Sequence, residues 1–274
     1  MVSAVQAEED AASGSGAWNP WYGPLALAVG FVASIVTGVI IVVIGHSAGD
    51  SLTSPPPAVL DLATFAEEVG FVLSAVWIAS WVARPRPEQF GLRRVRVWWQ
   101  AVVVVLGAYL TFIVISAIWA ALLNTPSSEK KLVTDIGGHA GAVGVLAACL
   151  VTCVLAPICE EFLFRGFIFG ALRNWRGPWI AAVITGLLFG AVHVGSAPAV
   201  DLVPLALLGV ILCLIRQWAG SLYPCIALHA LNNSIALGLN ESWGWQIPVL
   251  FVGALGLISL TLAFGLRVAR VRFA

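Results

Sequence analysis

Long apolar segments divided by short polar stretches are the feature that most restricts the fold of this chain. Hydrophobic residues make up 60% of its 274 residues, and charged residues make up only 10%. A run of roughly 20 apolar residues is long enough to cross the hydrocarbon core of a bilayer as a helix. The sequence therefore predicts an all-α, polytopic membrane helical bundle, in which backbone polar groups are paired within each helix.

Eight such segments follow one another, so about eight transmembrane helices are expected. Their predicted bounds are 22–44, 58–83, 97–123, 137–172, 179–194, 202–218, 222–239 and 246–266. The first residues, 1–20, are small, polar and acidic, and we expect a disordered N-terminal tail there. We expect residues 21–274 to form a single transmembrane helical domain, with residues 137–240 as the core that carries the unusual polar groups.

Positive charge is distributed unevenly among the loops. Eight alternating segments place eleven arginines on one side of the membrane and only Lys130 and Lys131 on the other. Because basic loops stay in the cytoplasm, we expect both termini to be cytoplasmic. A short, simple chain of this kind suggests an integral protein of a prokaryotic plasma membrane. The formal net charge is zero, which leaves no basic face for nucleic acid, so the lipid bilayer is the expected partner.

Three charged residues interrupt the apolar segments at one place. Glu160 and Glu161 follow the apolar run 141–159, and Arg165 lies one helical turn further on. Ionised groups are costly in hydrocarbon and usually mark a functional site. On a helix, Glu161 and Arg165 have the spacing of an ion pair, whereas Glu160 lies about 100° round the helix and is available for another role. A buried structural pair with a spare glutamate is the alternative.

Two further polar clusters lie in later segments. His193 ends the stretch Phe189–His193, and His229 begins the stretch His229–Asn233, whose two polar ends share one face of a helix. A single histidine in an apolar helix is more often a packed, hydrogen-bonded residue than a catalyst. Here, however, the turn predicted between the fourth and fifth segments is equally distant from Glu160 and His193. A helical hairpin would therefore bring these two residues to matching depth.

Glu67 and Glu68 form another pair of adjacent carboxylates, in the least apolar of the segments. No histidine is near them in sequence, and a proline-rich loop precedes them. We interpret this pair as the start of an amphipathic helix rather than as a second site. The five cysteines lie in apolar surroundings without a C-x-x-C motif. This favours small buried side chains over disulfides or a cysteine metal site.

In three motifs the sequence resembles the CPBP family of intramembrane proteases. This family groups type II CAAX prenyl endopeptidases with bacteriocin-processing and immunity (Abi) proteins. Its signature is E-E-x-x-x-R, F-x-x-x-H and H-x-x-x-N, and here these motifs are Glu160–Arg165, Phe189–His193 and His229–Asn233, in order. The resemblance implies an intramembrane endopeptidase. The catalytic residues that it implies are Glu160, Glu161, Arg165, His193, His229 and Asn233.

The resemblance and the chemistry of these side chains together suggest direct attack by water. We expect Glu160 to take a proton from a water molecule that His193 also holds. His229 and Asn233 would donate hydrogen bonds to the oxyanion. Arg165 would fix Glu161, which then acts as a supporting residue or as an alternate base.

A metal-dependent reaction is the alternative for the same residues. Glu160, His193 and His229 would form the His₂Glu set of a catalytic zinc site with one open position. Members of the family are often described as metalloproteases on such grounds. The chain has no H-E-x-x-H motif. Zinc is thus the one cofactor that the residues suggest, but we favour hydrolysis driven by the glutamate.

The expected substrate is a membrane-associated or CAAX-like peptide or protein. A non-catalytic membrane scaffold or bacteriocin-immunity protein on the same fold is the alternative function, although such a protein need not keep all the motif residues together. A proton-coupled transporter would also use buried carboxylates and histidines. No inverted repeat stands out in the eight segments, which disfavours a transporter.

Overall fold

The structure, a computed structural model, describes residues 18–52, 55–123 and 141–273. Throughout these ranges the chain is helical, apart from connecting turns and one isolated β-bridge. This confirms the predicted all-α fold. Most of the predicted N-terminal tail lies outside the described residues, as do Lys130 and Lys131. The single-domain and orientation predictions stay predictions.

Nine α-helices follow one another in the described residues. They are α1 (Tyr22–Ser47), α2 (Pro57–Ala79), α3 (Trp98–Leu122), α4 (Gly141–Leu150), α5 (Ala156–Glu161), α6 (Phe169–Val192), α7 (Leu202–Ala219), α8 (Tyr223–Asn240) and α9 (Gln246–Phe273). Two π-helical turns, Val151–Leu155 and Phe162–Ile168, join α4, α5 and α6 into one continuous stretch.

Six helical stretches in the described ranges are long and apolar enough to cross a membrane. They are Tyr22–Ser47, Ala58–Ala79, Trp98–Leu122, Val143–Val192, Ala199–Ala219 and Gln246–Val268. This confirms a polytopic helical bundle, with six such stretches where the sequence predicts eight segments. The predicted fourth and fifth segments form one stretch of 50 residues, and α8, which carries His229 and Asn233, is less apolar than the six.

The 50-residue stretch folds back on itself at Gly177. A straight helix of this length would be about 75 Å long, more than twice the thickness of the hydrocarbon core. Gly177 instead has φ 79° and ψ 170°, a conformation open to glycine, and the next residue is a proline. Phe189 packs against Phe164 with ring centroids 5.2 Å apart, which confirms the predicted hairpin. Glu161 and His193 each lie sixteen residues from Gly177, one in each arm of the hairpin.

The described helices pack into two compact units, and the division runs through several helices. The first unit contains residues 18–27, 75–123 and 161–228, and the second contains the described residues of 28–74, 141–160 and 229–273.

In the first unit, α6 and α7 approach each other closely through glycines. Gly186 and Gly190 have the small-xxx-small spacing that lets helix backbones pack tightly in membranes. A Cβ atom placed at Gly186 would lie 2.7 Å from the carbonyl oxygen of Ala206, and one at Gly209 would lie 2.7 Å from the Cα atom of Gly186. This contact holds the arm of the hairpin that ends at His193.

Gly186→Ala is expected to lower the thermal unfolding midpoint in detergent, because the added methyl group meets backbone atoms of α7. Overpacking of this kind costs about 1–3 kcal/mol. Gly107→Ala in α3 is the matched control, since no atom lies within 4 Å of its added Cβ. The control is expected to be neutral or slightly stabilising. Equal unfolding midpoints for the two variants would contradict the close contact between α6 and α7.

The arginine-rich loop before α3 is anchored in the first unit by an aromatic residue. Phe90 is 2% exposed and stacks on Phe162 with ring centroids 4.3 Å apart. Gly91, with φ 89°, turns the chain. Its carbonyl oxygen accepts a hydrogen bond from the backbone N–H of Leu222 at 2.9 Å. The loop is therefore packed within the first unit. Its hydrogen bond to Leu222 fixes the residue directly before α8.

In the second unit, α1 packs on α2, and α8 and α9 pack beside the first π-helical turn. A Cβ atom placed at Gly30 of α1 would lie 2.7 Å from the Phe71 ring of α2. Cys153 of the π-helical turn, Leu237 of α8 and Ala254 of α9 form a small buried core. These contacts position the half of α8 that carries the polar residues.

Candidate active site

Glu160 and Glu161 end α5, a helix of only six residues. A π-helical turn lies on each side of it, at Val151–Leu155 and at Phe162–Ile168. Such turns are rare and occur often at functional sites. The extra residue in a π-helical turn rotates the side chains that follow and interrupts the regular ladder of hydrogen bonds. The two turns therefore set the directions in which the two carboxylates point.

In the second unit, Glu160 lies against His229 of α8. Glu160 Oε2 is 3.9 Å from His229 Nε2, and the two side chains are 15% and 4% exposed. This distance is longer than a direct hydrogen bond, which is about 3 Å. A carboxylate and an imidazole at this separation can both reach one reacting molecule, and catalytic contacts often shorten only when substrate is bound.

Asn233 shares a face of α8 with His229 and is anchored to the first π-helical turn. Its Nδ2 atom donates to the carbonyl oxygen of Thr152 at 2.9 Å, and its Oδ1 atom accepts from Asn232 Nδ2 at 3.4 Å. The carbonyl of Thr152 takes up one N–H of the amide, and the second N–H is directed elsewhere. Asn233 therefore fixes α8 against the stretch that leads to Glu160, and it keeps one donor for another acceptor.

Glu68 of α2 is the residue of this site that the sequence interpretation missed. It is 4% exposed, and its carboxyl group lies close enough to that of Glu160 for the two groups to interact electrostatically. Glu67 lies close enough to Glu160 to interact with it electrostatically. The interpretation of Glu67 and Glu68 as an amphipathic helix start was wrong, because both lie in the middle of α2 and Glu68 is buried. Paired carboxylates inside an apolar segment were the available signal.

In the first unit, the predicted ion pair between Glu161 and Arg165 is present. Arg165 Nη1 donates to Glu161 Oε1 at 2.7 Å, and both side chains are fully buried. The guanidinium also donates to the carbonyl oxygen of Gly209 at 3.3 Å and lies 4.3 Å from the centroid of the Phe189 ring. These contacts offset part of the cost of burying the charges. Arg165 thus ties both arms of the hairpin to α7, and Glu161 is its counter-ion.

His193 directly follows α6, at the end of the second arm of the hairpin. Its Nδ1 atom lies 2.7 Å from the carbonyl oxygen of Phe189, one turn earlier. A carbonyl oxygen can only accept, so we assign a proton to Nδ1; when the ring carries only that proton, Nε2 is an acceptor. The side chain is half-buried. His193 can therefore accept a hydrogen bond from a ligand through Nε2.

The predicted site residues fall into two groups. Those in the second unit are Glu160, His229 and Asn233, and those in the first are Glu161, Arg165 and His193. In the part of the chain that the structure describes, no group of three or more His, Cys, Asp or Glu side chains is arranged to hold a metal ion. The suggested zinc set of Glu160, His193 and His229 has members in both groups and stays a prediction, and we derive no step through a metal.

Known proteins share the stretch that carries these residues. The family model described as type II CAAX prenyl endopeptidase Rce1-like matches residues 142–235. An uncharacterised 24.3 kDa protein of Escherichia coli is 30% identical over 160 residues, 57% of this chain and 70% of that protein. The UPF0177 protein YxdF of Lactococcus lactis is 27% identical over 73 residues, 24% of this chain and 40% of that protein. No solved structure matches the chain significantly.

The matched range contains all three sequence motifs, together with the hairpin, the Glu161–Arg165 pair and the Glu160–His229 contact. The similarity to the Escherichia coli protein extends over more than half of the chain. Both findings agree with the resemblance carried by the motifs. The chain therefore belongs to the CPBP family of intramembrane proteases, among relatives of the Rce1-like type II CAAX prenyl endopeptidases.

Proposed function

We propose that this chain is an active endopeptidase that hydrolyses a peptide bond of a membrane-associated or CAAX-like substrate by direct attack of water. The observation that carries the proposal is the buried contact between Glu160 and His229, whose carboxylate and imidazole lie 3.9 Å apart. Few structural roles need a carboxylate and an imidazole together inside a membrane-spanning bundle. Membership of a family of CAAX-type intramembrane proteases supports the class of reaction.

Glu160 is the proposed general base. Glu161 is engaged by Arg165, whose Nη1 atom donates a hydrogen bond to Glu161 Oε1 at 2.7 Å. Glu160 Oε2, in contrast, is buried and accepts no hydrogen bond from any donor in the described ranges. Glu160 is therefore the better placed of the two to take a proton from water.

The proposed reaction moves one proton twice. Glu160 takes a proton from water as the water oxygen attacks the scissile carbonyl carbon, and it returns that proton to the leaving nitrogen as the C–N bond breaks. His229 donates a hydrogen bond to the oxyanion, and the second N–H of Asn233 is proposed as a further donor. His193 is proposed to orient the water through Nε2, a role that rests on the F-x-x-x-H motif and on the assigned tautomer.

His229→Ala is expected to lower kcat by about a hundredfold with little change in KM, because an oxyanion donor acts mainly in the transition state. The measurement is cleavage of quenched peptides, prenylated CAAX peptides among them, by the full chain in liposomes. His46→Ala is the matched control. His46 is an exposed residue at the end of α1 whose Nδ1 contacts the carbonyl of Asp50, and its replacement is expected to change kcat by less than about twofold.

Three results would count against the proposed reaction. Full activity of His229→Ala would show that His229 does not donate a hydrogen bond to the oxyanion. Cleavage that stops with a chelator and returns with zinc would indicate a metal-dependent reaction. If the cellular phenotype of the parent protein is retained in both Glu160→Gln and His229→Ala, the function does not require catalysis. The chain would then be a non-catalytic scaffold or immunity protein on this fold.

A further inference from the structure

A buried proline lies inside the helical stretch that leads to the proposed base. Pro157 is the second residue of α5, three residues before Glu160, and none of the three motifs includes it. Helical backbone continues on both sides of it, from α4 through the first π-helical turn into α5. A proline inside a helix removes a backbone hydrogen bond and is unfavourable there. Membrane-spanning helices tolerate one where another group satisfies the carbonyl that it leaves free.

The first π-helical turn shows which carbonyl this is. The N–H of Ala156 donates to the carbonyl oxygen of Val151, five residues earlier. In the same pattern the next donor would be residue 157, and its acceptor would be the carbonyl of Thr152. Pro157 has no N–H to donate. The carbonyl of Thr152 is therefore left open to a donor from outside its own helix.

Asn233 of α8 is that donor. Its Nδ2 atom lies 2.9 Å from the carbonyl oxygen of Thr152, and both residues belong to the second unit. Its Oδ1 atom accepts from Asn232 Nδ2 at 3.4 Å. An amide group is planar, so contacts at both of its ends also set the direction of the N–H that remains. This second N–H of Asn233 is the proposed oxyanion donor.

We propose that Pro157 is a positioning residue: because it has no N–H, it leaves the Thr152 carbonyl to Asn233 and so orients the second N–H of that amide. The proposal rests on the proposed function of Asn233 as an oxyanion donor. Such a donor stabilises the transition state only when it points to the place where the negative charge develops. A misplacement of a catalytic group by about 1 Å can cost about a hundredfold in rate.

Pro157→Ala adds an N–H at the position that faces the Thr152 carbonyl in the π-helical pattern, so we expect it to displace Asn233. Alanine favours a helix, and the variant is therefore expected to fold. We expect kcat to fall by about 10- to 100-fold with little change in KM, because an oxyanion donor acts mainly in the transition state. The measurement is cleavage of quenched peptides by the full chain in liposomes, at equal amounts of folded protein.

Pro248→Ala is the matched control. Pro248 is an exposed proline in the first turn of α9, where a backbone N–H has no partner within the helix. Its replacement is expected to keep kcat within about twofold of the parent. An unchanged kcat in folded Pro157→Ala, with Asn233→Ala impaired, would overturn the proposal.

A double variant shows whether Pro157 acts through Asn233. Asn233→Ala alone is expected to lower kcat by about a hundredfold. In that background Pro157→Ala is expected to change kcat by less than about threefold, because the group that it positions is already gone. Losses that multiply in the double variant would overturn the proposal, since Pro157 would then act through another residue.

A nuclear magnetic resonance measurement tests the proposal without any substrate. The protein is labelled with ¹⁵N-asparagine, and the side-chain amide signals of Asn233 are assigned by their loss in Asn233→Ala. We expect these signals to shift in Pro157→Ala and to stay in place in Pro248→Ala. Signals that do not shift in Pro157→Ala would overturn the proposal whatever the rates. If they shift but Asn233→Ala cleaves at the parent rate, the proposed function of Asn233 fails, and the positioning role falls with it while the contact stands.

Discussion

Glu160→Gln is expected to lower kcat for peptide cleavage by about a thousandfold or more, because an amide cannot take a proton from water. Glutamine has the same shape as glutamate, so its side chain fills the same space beside His229 and Glu68. The thermal unfolding midpoint in detergent is therefore expected to stay close to that of the parent. Initial rates in liposomes, measured over a range of peptide concentrations, separate the effect on kcat from the effect on KM.

The control for this substitution is Glu67→Gln, which removes a carboxyl group from the same part of the second unit. Its kcat is expected to change by less than about twofold. A Glu160→Gln variant that keeps a tenth or more of the parent rate, on the order expected of a supporting group, would mean that Glu160 is not the base. Glu161 would then be the next candidate.

Arg165→Met is expected to lower the free energy of unfolding by about 3–5 kcal/mol, because it leaves the buried carboxylate of Glu161 without its cation. The substitution also removes the hydrogen bond to the Gly209 carbonyl and the contact with the Phe189 ring. Both losses loosen the hairpin against α7. The measurement is the unfolding midpoint in detergent, by heat or by denaturant, with retention of the folded fraction on size exclusion.

The double variant Arg165→Met with Glu161→Gln is the matched test of this reasoning. Its neutral glutamine needs no cation, so a substantial part of the lost stability is expected to return. A double variant that is less stable than Arg165→Met alone would show that the pair is not the source of the loss. Glu161→Gln alone is expected to be destabilising as well, because the buried guanidinium of Arg165 loses the negative charge of its partner.

The helical architecture was predictable because apolar length is a local property of the sequence. The predicted hairpin is correct for the same reason: an arginine-glycine-proline turn cannot continue a helix, and the two arms of equal length must then return through the bilayer. The number of spans was less predictable. α8 has to carry His229 and Asn233, and these polar residues lower its hydropathy below that of the other helices.

The candidate site was predictable only where its residues are neighbours in sequence. The Glu161–Arg165 pair follows from helical spacing, and it is present. The π-helical turns around α5 could not be predicted from the types of their residues, because such turns depend on how the helix packs. The place of Glu68 beside Glu160 depends on a contact between helices more than ninety residues apart, and no periodicity along the chain can show such a contact.

The first measurement to make is cleavage of a prenylated CAAX peptide by the full chain in liposomes, with parent and Glu160→Gln at equal amounts of folded protein. Mass spectrometry identifies the products. We predict two fragments whose summed mass exceeds that of the peptide by one water, formed by the parent and not by the variant. The same fragments formed at the same rate by Glu160→Gln would contradict hydrolysis driven by Glu160.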